Sequence, residues 1–438
     1  MRKMKDSGIE WIGKIPNDWK TLKVKYLATE PDSLFTDGDW INSDIITEEG
    51  VRYLTSGNVG EGYFKKQGDG YISQETFDQL HCLKALPNDL MICRLNLPIG
   101  RSCIIPNDEP FYVVAVDNVI LRPNHDIDKK FIMYCMNTPG YAAEAEMAAG
   151  GTTMKRISRT DLGNLVVPIP SLEEQKAIAD YLDGKCADID QIRADIEKQI
   201  DILNDYKKSV ITEAVTKGLN PKAKLKDSGI EWIGKIPEGW TIVPINYLTT
   251  SRSGGTPDRN KSQYWEEGTI PWMASGEVNK FLVYDTKEKI TELATRLSNA
   301  KIVPANSVMV ALNGQGKTKG MSAVLKIDAA CNQSLCAFQC DPMRLNYMYL
   351  LYCFQSMYKF LRFQAGDDVR DGLAASFVKK QRIPLPSLNE QNEIASFIDE
   401  KCSEIDATIA DKQKQLETLD EYKKSLIFEY VTGKKEVP

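Results

Sequence analysis

Two short segments carry the residue types from which a phosphate- and base-reading surface is made. Gly150-Gly151-Thr152-Thr153-Met154-Lys155-Arg156-Ile157-Ser158 joins glycines, which let backbone N–H groups approach a ligand, to hydroxyl, ammonium and guanidinium donors. The same composition also suits an ordinary linker turn. Its counterpart in the second half, Gly366-Asp367-Asp368-Val369-Arg370-Asp371, is more acidic and leaves Arg370 as the candidate guanine reader. A third run, Ala311-Leu312-Asn313-Gly314-Gln315-Gly316-Lys317-Thr318, nearly spells a phosphate-binding P-loop. A P-loop needs glycine at its first position and a helix opening at the Lys-Thr pair. Here Ala311 takes the first position and Lys319-Gly320 follows at once, which predicts a strand–turn–strand loop. The matching stretch of the first half, Arg94 to Arg101, has no such pattern. The side chains singled out for ligand contact are therefore Arg94, Asn96, Arg101, Thr152, Thr153, Lys155, Arg156, Asn313, Gln315, Lys317, Lys319 and Arg370.

Catalytic chemistry is poorly supplied. The acidic pairs Glu173-Glu174 and Asp188/Asp190 lie on helical faces with no histidine beside them, which suits solvated or partner-facing charge rather than general acid–base work. With two histidines (His81 and His125) and ten cysteines that never form a CxxC pair, no metal site is expected. The thiols read as reduced and mostly buried. No Asp/Asn-Pro-Pro-Tyr/Phe methyltransferase signature occurs, nor a Ser/His/Asp or Cys/His arrangement. The 438 residues (42% hydrophobic, 26% charged) exclude wholesale disorder, and their length predicts several domains. No apolar run approaches the ~20 residues of a membrane span, and the opening MRKMKDSG has no apolar region behind it. A cytoplasmic protein is the expectation.

The elements that must position the loops are written twice. KDSGIEWIGKIP at 5–16 recurs without change at 226–237, and PIPSLEEQKAIADYLDGKCADID at 168–190 returns as PLPSLNEQNEIASFIDEKCSEID at 384–406. DYKKS at 205–209 matches EYKKS at 421–425. Each second repeat carries a heptad: Leu182, Ile189, Ile196, Leu203 and Val210 in the first, and Ile398, Ile405, Leu419 and Leu426 in the second, with Lys412 as its polar break. Ile178, Ile192 and Tyr206 fall on a neighbouring position. Ser171 and Ser387, each followed three residues later by Glu, predict helix starts for runs of about 40 residues, with a local weakness at Gly184. A narrow apolar seam of this kind predicts helix–helix packing, and the two helices are expected to pair antiparallel. The regions between them, rich in short β runs and Gly/Pro/Asn turns, read as mixed α/β (α+β) blocks. The boundaries are 1–167 for the first block, 168–221 for the first long helix, 222–383 for the second block and 384–438 for the second long helix. The repeated Trp11, Trp19, Trp232 and Trp240 read as core.

Charge follows the same division. The net charge is −6, yet 173–208 carries −4 and 388–424 carries −5, which leaves +3 for the rest of the chain. Basic clusters such as Lys155/Arg156/Arg159 and Lys317/Lys319 sit in the blocks. This segregation favours polyanion contact from the blocks, with the acidic helices held off it.

The duplicated KDSGIEWIGKIP opening, the Ser251–Val278 segment, the GTTMKRIS loop and the twofold P[IL]PSL.EQ helix start together resemble the DNA-specificity (S) subunits of type I restriction–modification systems, over essentially the whole chain. The resemblance implies two target-recognition domains, each reading half of a split duplex-DNA sequence. It also implies two long helices forming an antiparallel coiled-coil spacer. Two methyltransferase subunits would dock on the chain and bring S-adenosylmethionine, and two restriction subunits, in those systems that have them, would bring ATP and Mg. The chain itself would bind no cofactor and be non-catalytic. Two other readings remain at this stage: a P-loop ATPase or nuclease subunit using Lys317, and a coiled-coil interaction protein with no DNA role.

Overall fold

In the computed structural model, which describes residues 2–151, 154–314, 316–364 and 372–438, the two heptad segments are helices Leu172–Lys217 and Leu388–Val431, of 46 and 44 residues. The longer spans about 69 Å at 1.5 Å per residue. Both starts obey their sequence: the Glu174 N–H donates to Ser171 Oγ (3.3 Å), and in the second helix Ser387 and Glu390 cap each other reciprocally (3.3 and 3.1 Å). Gly184 does not interrupt the first helix, whose flanking Leu182 and Cys186 are buried.

The chain folds as two compact units, Met1–Ile196 with Lys414–Pro438, and Glu197–Gln413. This division differs in kind from the four sequence segments, because it falls inside both long helices. In the first unit the opening half of the first helix packs on the closing half of the second: Ile178, Leu182, Ile189 and Leu426 share one core. Lys423 pairs there with Asp190 at 2.6 Å, Arg193 with Asp420 at 3.2 Å, and the Tyr430 and Tyr181 hydroxyls meet at 3.2 Å. In the second unit Lys207 pairs with Asp406 at 2.6 Å, and Lys412 donates to Gln199 at 2.5 Å. The paired numbers add to 611–613 throughout, the signature of antiparallel helices in one register. Ile196, Ile398 and Ile405 are buried at the seam, whereas Leu203, Val210 and Leu419 are only half-buried. Of the neighbouring positions Ile178 is buried, while Ile192 and Tyr206 are exposed.

Each unit carries a mixed α/β block of matching plan. In the first, an antiparallel sheet runs in the order Leu34–Asp37, Asn118–Arg122, Leu90–Cys93, Ser102–Ile104. In the second, the order is Thr249–Ser253, Leu335–Cys340, Val308–Ala311, Ser322–Leu325, with Leu282–Val283 added in parallel. Each also has a smaller three-stranded sheet containing one parallel pair, Tyr53/Leu54 with Val113/Val114 and Trp272/Met273 with Ala330/Cys331. The edge strand of each main sheet ends at a glycine that only glycine can occupy. A Cβ on Gly38 would lie 2.1 Å from the Val114 carbonyl oxygen, and one on Gly254 2.2 Å from that of Asn332.

Each block also carries two consecutive short helices ahead of its long helix, Lys129–Met136 with Pro139–Met147, and Tyr347–Ser356 with Tyr358–Gln364. Pro139 begins the second of the first pair, where its fixed φ suits a first turn. Trp19 and Trp240 are buried, and Trp11 and Trp232 pack on the edges of the two main cores. The thiols are buried except for half-buried Cys340, and burial pushes Cys103, Cys331 and Cys340 up to about 12, which makes them unreactive.

Candidate nucleic-acid interface

In each unit two loops distant in sequence are stitched together at one end of the main sheet. In the first, the loop after Leu90–Cys93 meets the segment after Pro139–Met147. Leu95 bridges Arg156, the Asn96 N–H donates to the Lys155 carbonyl (3.1 Å), and the Ile157 N–H to that of Arg94 (3.0 Å). Gly151, at φ +101°, turns the second loop where a Cβ would lie 2.5 Å from the Met154 carbonyl oxygen. In the second unit the loop after Val308–Ala311 meets the residues after Tyr358–Gln364: the Leu373 N–H donates to the Leu312 carbonyl at 2.8 Å. The Leu312 carbonyl therefore takes the part that the Arg94 carbonyl takes in the first unit.

The structure sorts the candidate residues. Arg94 is 5% exposed; its guanidinium lies 3.0 Å from Asp37 and donates to the Ile157 and Val116 carbonyls. Burial lowers its pKa although Asp37 opposes the shift. Arg101 is likewise turned inward, donating to the carbonyls of Val59 and Asn96 (3.0 Å each), Pro98 (3.0 Å) and Ser56 (3.2 Å). These two arginines shape the loop from within. Asn96, Lys155 and Arg156 are exposed on its surface. Lys155 pairs with Glu146, and Arg156 with Asp117 at 3.1 Å. Such exposed pairs are worth only ~0–1 kcal/mol, so a phosphate can displace the carboxylate at little cost. Arg159, 3.5 Å from Asp37 and bonded to Thr36, completes the cluster. Asp37 and Asp117 have no sequence signal as site residues; only the fold brings them beneath the arginines.

In the second unit Asn313 and Lys317 are exposed and Lys319 is buried. Gly316 and Lys317 are held through their carbonyls, which accept from Arg362 (2.7 Å) and the Tyr358 hydroxyl (2.7 Å). Lys317-Thr318 sits in a turn that leads to strand Ser322–Leu325, antiparallel to Val308–Ala311. This is the strand–turn–strand loop, without the helix start that a P-loop requires. Thr152, Thr153, Gln315 and Arg370 lie outside the described residues. Among the described residues no group of His, Cys, Asp and Glu could hold a metal ion, and no helix is long and apolar enough to cross a membrane.

Each block is anchored to its long helix by a glutamine that the sequence shows only as part of a motif. Gln175, 0% exposed, accepts from the Asp128 N–H (2.7 Å) and donates to the Asp126 (3.1 Å) and Pro170 (3.0 Å) carbonyls. Gln391, also 0% exposed, accepts from the Asn346 N–H (2.9 Å) and donates to the Arg344 (3.0 Å) and Pro386 (3.1 Å) carbonyls. Beside each glutamine, a carboxylate one residue earlier accepts from a buried indole: Glu174 from Trp19 (3.0 Å), Glu390 from Trp240 (3.4 Å).

The family model for the type I restriction modification DNA specificity domain matches twice, over residues 16–202 and 237–418. The chain belongs to the type I restriction–modification DNA specificity family. Among its relatives, a specificity subunit assigned to the MjaX type I restriction enzyme of Methanocaldococcus jannaschii is 24% identical over 436 residues, covering 97% of this chain and 95% of that one. The EcoR124I/EcoR124II specificity subunit of Escherichia coli is 26% identical over 288 residues, 62% of each chain. Two solved structures share the fold. A chain from a study of complex assembly and conformational transition in a type I system superposes with a TM-score of 0.72 at 14% identity, over 95% of this chain and 98% of that one. The HsdS subunit from Thermoanaerobacter tengcongensis gives 0.55 at 15% identity, over 96% and 98%. The two family matches each take in one block and most of its long helix, so the repeat seen in sequence is the family's own unit used twice.

Proposed function

We propose that this specificity-family chain selects a split duplex-DNA target, one half-site per unit, through the two stitched loop pairs. The observation that carries the reading is their recurrence: in each unit the second loop returns an N–H to a carbonyl of the first, Ile157 to Arg94 and Leu373 to Leu312, and the loops are dressed with different side chains. Asn96, Lys155 and Arg156 stand on one, and Asn313 and Lys317 on the other. Basic side chains held by weak surface ion pairs supply phosphate contact, and the amide and guanidinium groups supply base-edge donors and acceptors. Arg370, Gln315, Thr152 and Thr153 join this set by their loop position and chemistry.

On this reading the long helices are the spacer between half-sites. The chain supplies recognition only, and two methyltransferase subunits docked on it bring S-adenosylmethionine. Restriction subunits, where present, bring ATP and Mg, and the assembly works in the cytoplasm. The turn at Lys317-Thr318 supports this over an ATPase, and the duplicated loop pairs support it over a bare coiled-coil adaptor.

The test is methylation mapping in a methylation-free host that expresses the chain with the methyltransferase encoded beside it. The expected result is a split motif with a modified adenine in each half, lost when the chain is omitted. A continuous motif would refute separate reading by the two units, and no motif from a soluble, associated complex would refute the DNA role.

A further inference from the structure

A cleft of about 800 Å³ opens in the second unit between the last turns of the first long helix, the helices Tyr347–Ser356 and Tyr358–Gln364, and the turn at 317–322. Its charge is one-sided: Lys207, Lys208, Lys217, Lys317 and Lys359 line it against the single carboxylate of Glu213. Lys207, Lys208 and Lys217 are paired, with Asp406, Asp205 and Glu213 at 2.6, 2.8 and 3.1 Å. Lys317 and Lys359 make no ion pair among the described residues. Ile211, Ile233 and Met321 form an apolar wall beside them.

Ser322 also borders the cleft. It is 7% exposed, and its buried hydroxyl has no hydrogen-bond partner among the described residues. A buried orphan hydroxyl costs stability and calls for a partner that the protein does not supply. The sequence repeat sharpens the point. Thr212 and Ala214 of the first long helix correspond to Phe428 and Tyr430 of the second. In the first unit those aromatic rings are used for packing: Tyr430 lies 4.7 Å from Tyr181, and Phe428 lies 4.5 Å beneath the Lys434 ammonium. Thr212, at the place of Phe428, borders the cleft with a smaller side chain, whereas Ala214 is buried in the core.

The geometry points to a binding site for a phosphorylated small molecule of nucleotide size. Its phosphates lie on Lys317, Lys359 and the Ser322 hydroxyl, and its organic body lies against Ile211, Ile233 and Met321. The volume falls within the ~300–1,000 Å³ of small-ligand pockets. A hydroxyl sunk below the surface suits a ligand that enters the cleft better than a convex duplex lying across it. No reaction is assigned to the site, and it shares Lys317 with the DNA-contacting set proposed above.

The experiment is calorimetric titration of the purified full-length chain with magnesium-free ATP and with inorganic pyrophosphate, at ~0.1 M salt where free surface charges are largely screened. One saturable site is expected for ATP, and pyrophosphate competes for it. The Lys317→Ala/Lys359→Ala double variant weakens both probes about tenfold or more, the scale of lost charge-assisted hydrogen bonds. Ser322→Ala weakens both without lowering the melting temperature, because it removes a hydroxyl that nothing else satisfies. Thr212→Phe, which copies the residue used in the first unit, abolishes ATP binding. Absence of a saturable site for either probe up to about 10 mM, the range of negligible affinity, overturns the proposal. So does binding indifferent to the lysine and serine variants. Loss of duplex-DNA affinity in the lysine variant, with no small-anion binding in the parent, would assign the lysines to DNA instead.

Discussion

Replacing Gln391 by Leu tests whether the joint between block and long helix rests on a single buried amide. The substitution keeps much of the side-chain volume and removes three hydrogen bonds: one from the Asn346 N–H, and two to the Arg344 and Pro386 carbonyls. Gln391 is 0% exposed, so water does not replace them without opening the joint. An orphaned buried group costs ~1–3 kcal/mol, and the added apolar contact of Leu returns part of that, so a net loss of about 3 kcal/mol is expected. For a folding unit of about 200 residues this corresponds to roughly 6–12 °C in melting temperature. Urea unfolding gives the magnitude, and amide exchange gives its place. Protection should fall at Asn346 and along Tyr347–Ser356, and should be unchanged at Asp128, whose N–H is held by Gln175. Gln175→Leu should show the mirror pattern. A loss below about 1 kcal/mol for both variants, or unaltered exchange at Asn346, would show that the amide is incidental and that apolar packing alone fixes the helix start.

Arg94→Met should lower stability by about 2 kcal/mol, since it leaves Asp37 only the longer Arg159 pair and takes the donor from two carbonyls, while the half-site read by the first unit stays the same in methylation mapping. A changed half-site at unchanged stability would place Arg94 on the bases instead. Gly254→Ala should cost about 2 kcal/mol or more in chemical denaturation, because its Cβ would lie 2.2 Å from the Asn332 carbonyl oxygen. Gly276→Ala, which meets no atom within 4 Å, serves as the near-neutral control. The Glu390 carboxyl has its pKa lowered: burial opposes the shift, and the Ser387 and Trp240 bonds outweigh it. A depressed folded pKa stabilises above the ordinary value of about 4.5, and that contribution is lost as pH falls through the folded pKa. Ser387→Ala should therefore cost more at pH 7 than at about pH 3 in paired urea curves. An equal cost at both would show that the carboxylate is uncoupled from the cap.

The repeat arithmetic made the scaffold legible. Identical openings, repeated helix starts and two seams of heptad spacing are local signals, and each survives in the structure as an element of the expected kind. The antiparallel pairing was also within reach, since two acidic helices with matching narrow seams had to cover one another. What the chain order conceals is how the halves are shared. Each compact unit contains the first part of one long helix and the last part of the other, a consequence of antiparallel pairing rather than of any boundary residue. Gln175 and Gln391 were visible only as letters in a motif, because an amide's value as a joint depends on carbonyls 47–49 residues away.

The loop chemistry was the least legible part, and the reason is physical. Arginine is the residue best suited to read guanine and also the residue best suited to tie several carbonyls together from inside, because its planar fork presents five donors. Arg94 and Arg101 sit in the loop a sequence reading selects, yet their donors are taken by carbonyls and by Asp37, which lies 57 residues from Arg94. Arg156, with the same side chain, is exposed and among the described residues is held only by a surface pair with Asp117. Residue type therefore nominates a loop, whereas the hydrogen-bond inventory decides which of its arginines remain available to a ligand. By that inventory Asn96, Lys155 and Arg156 are where substitutions should alter the recognised half-site, and the inward pair is where they should alter only the stability of the loop.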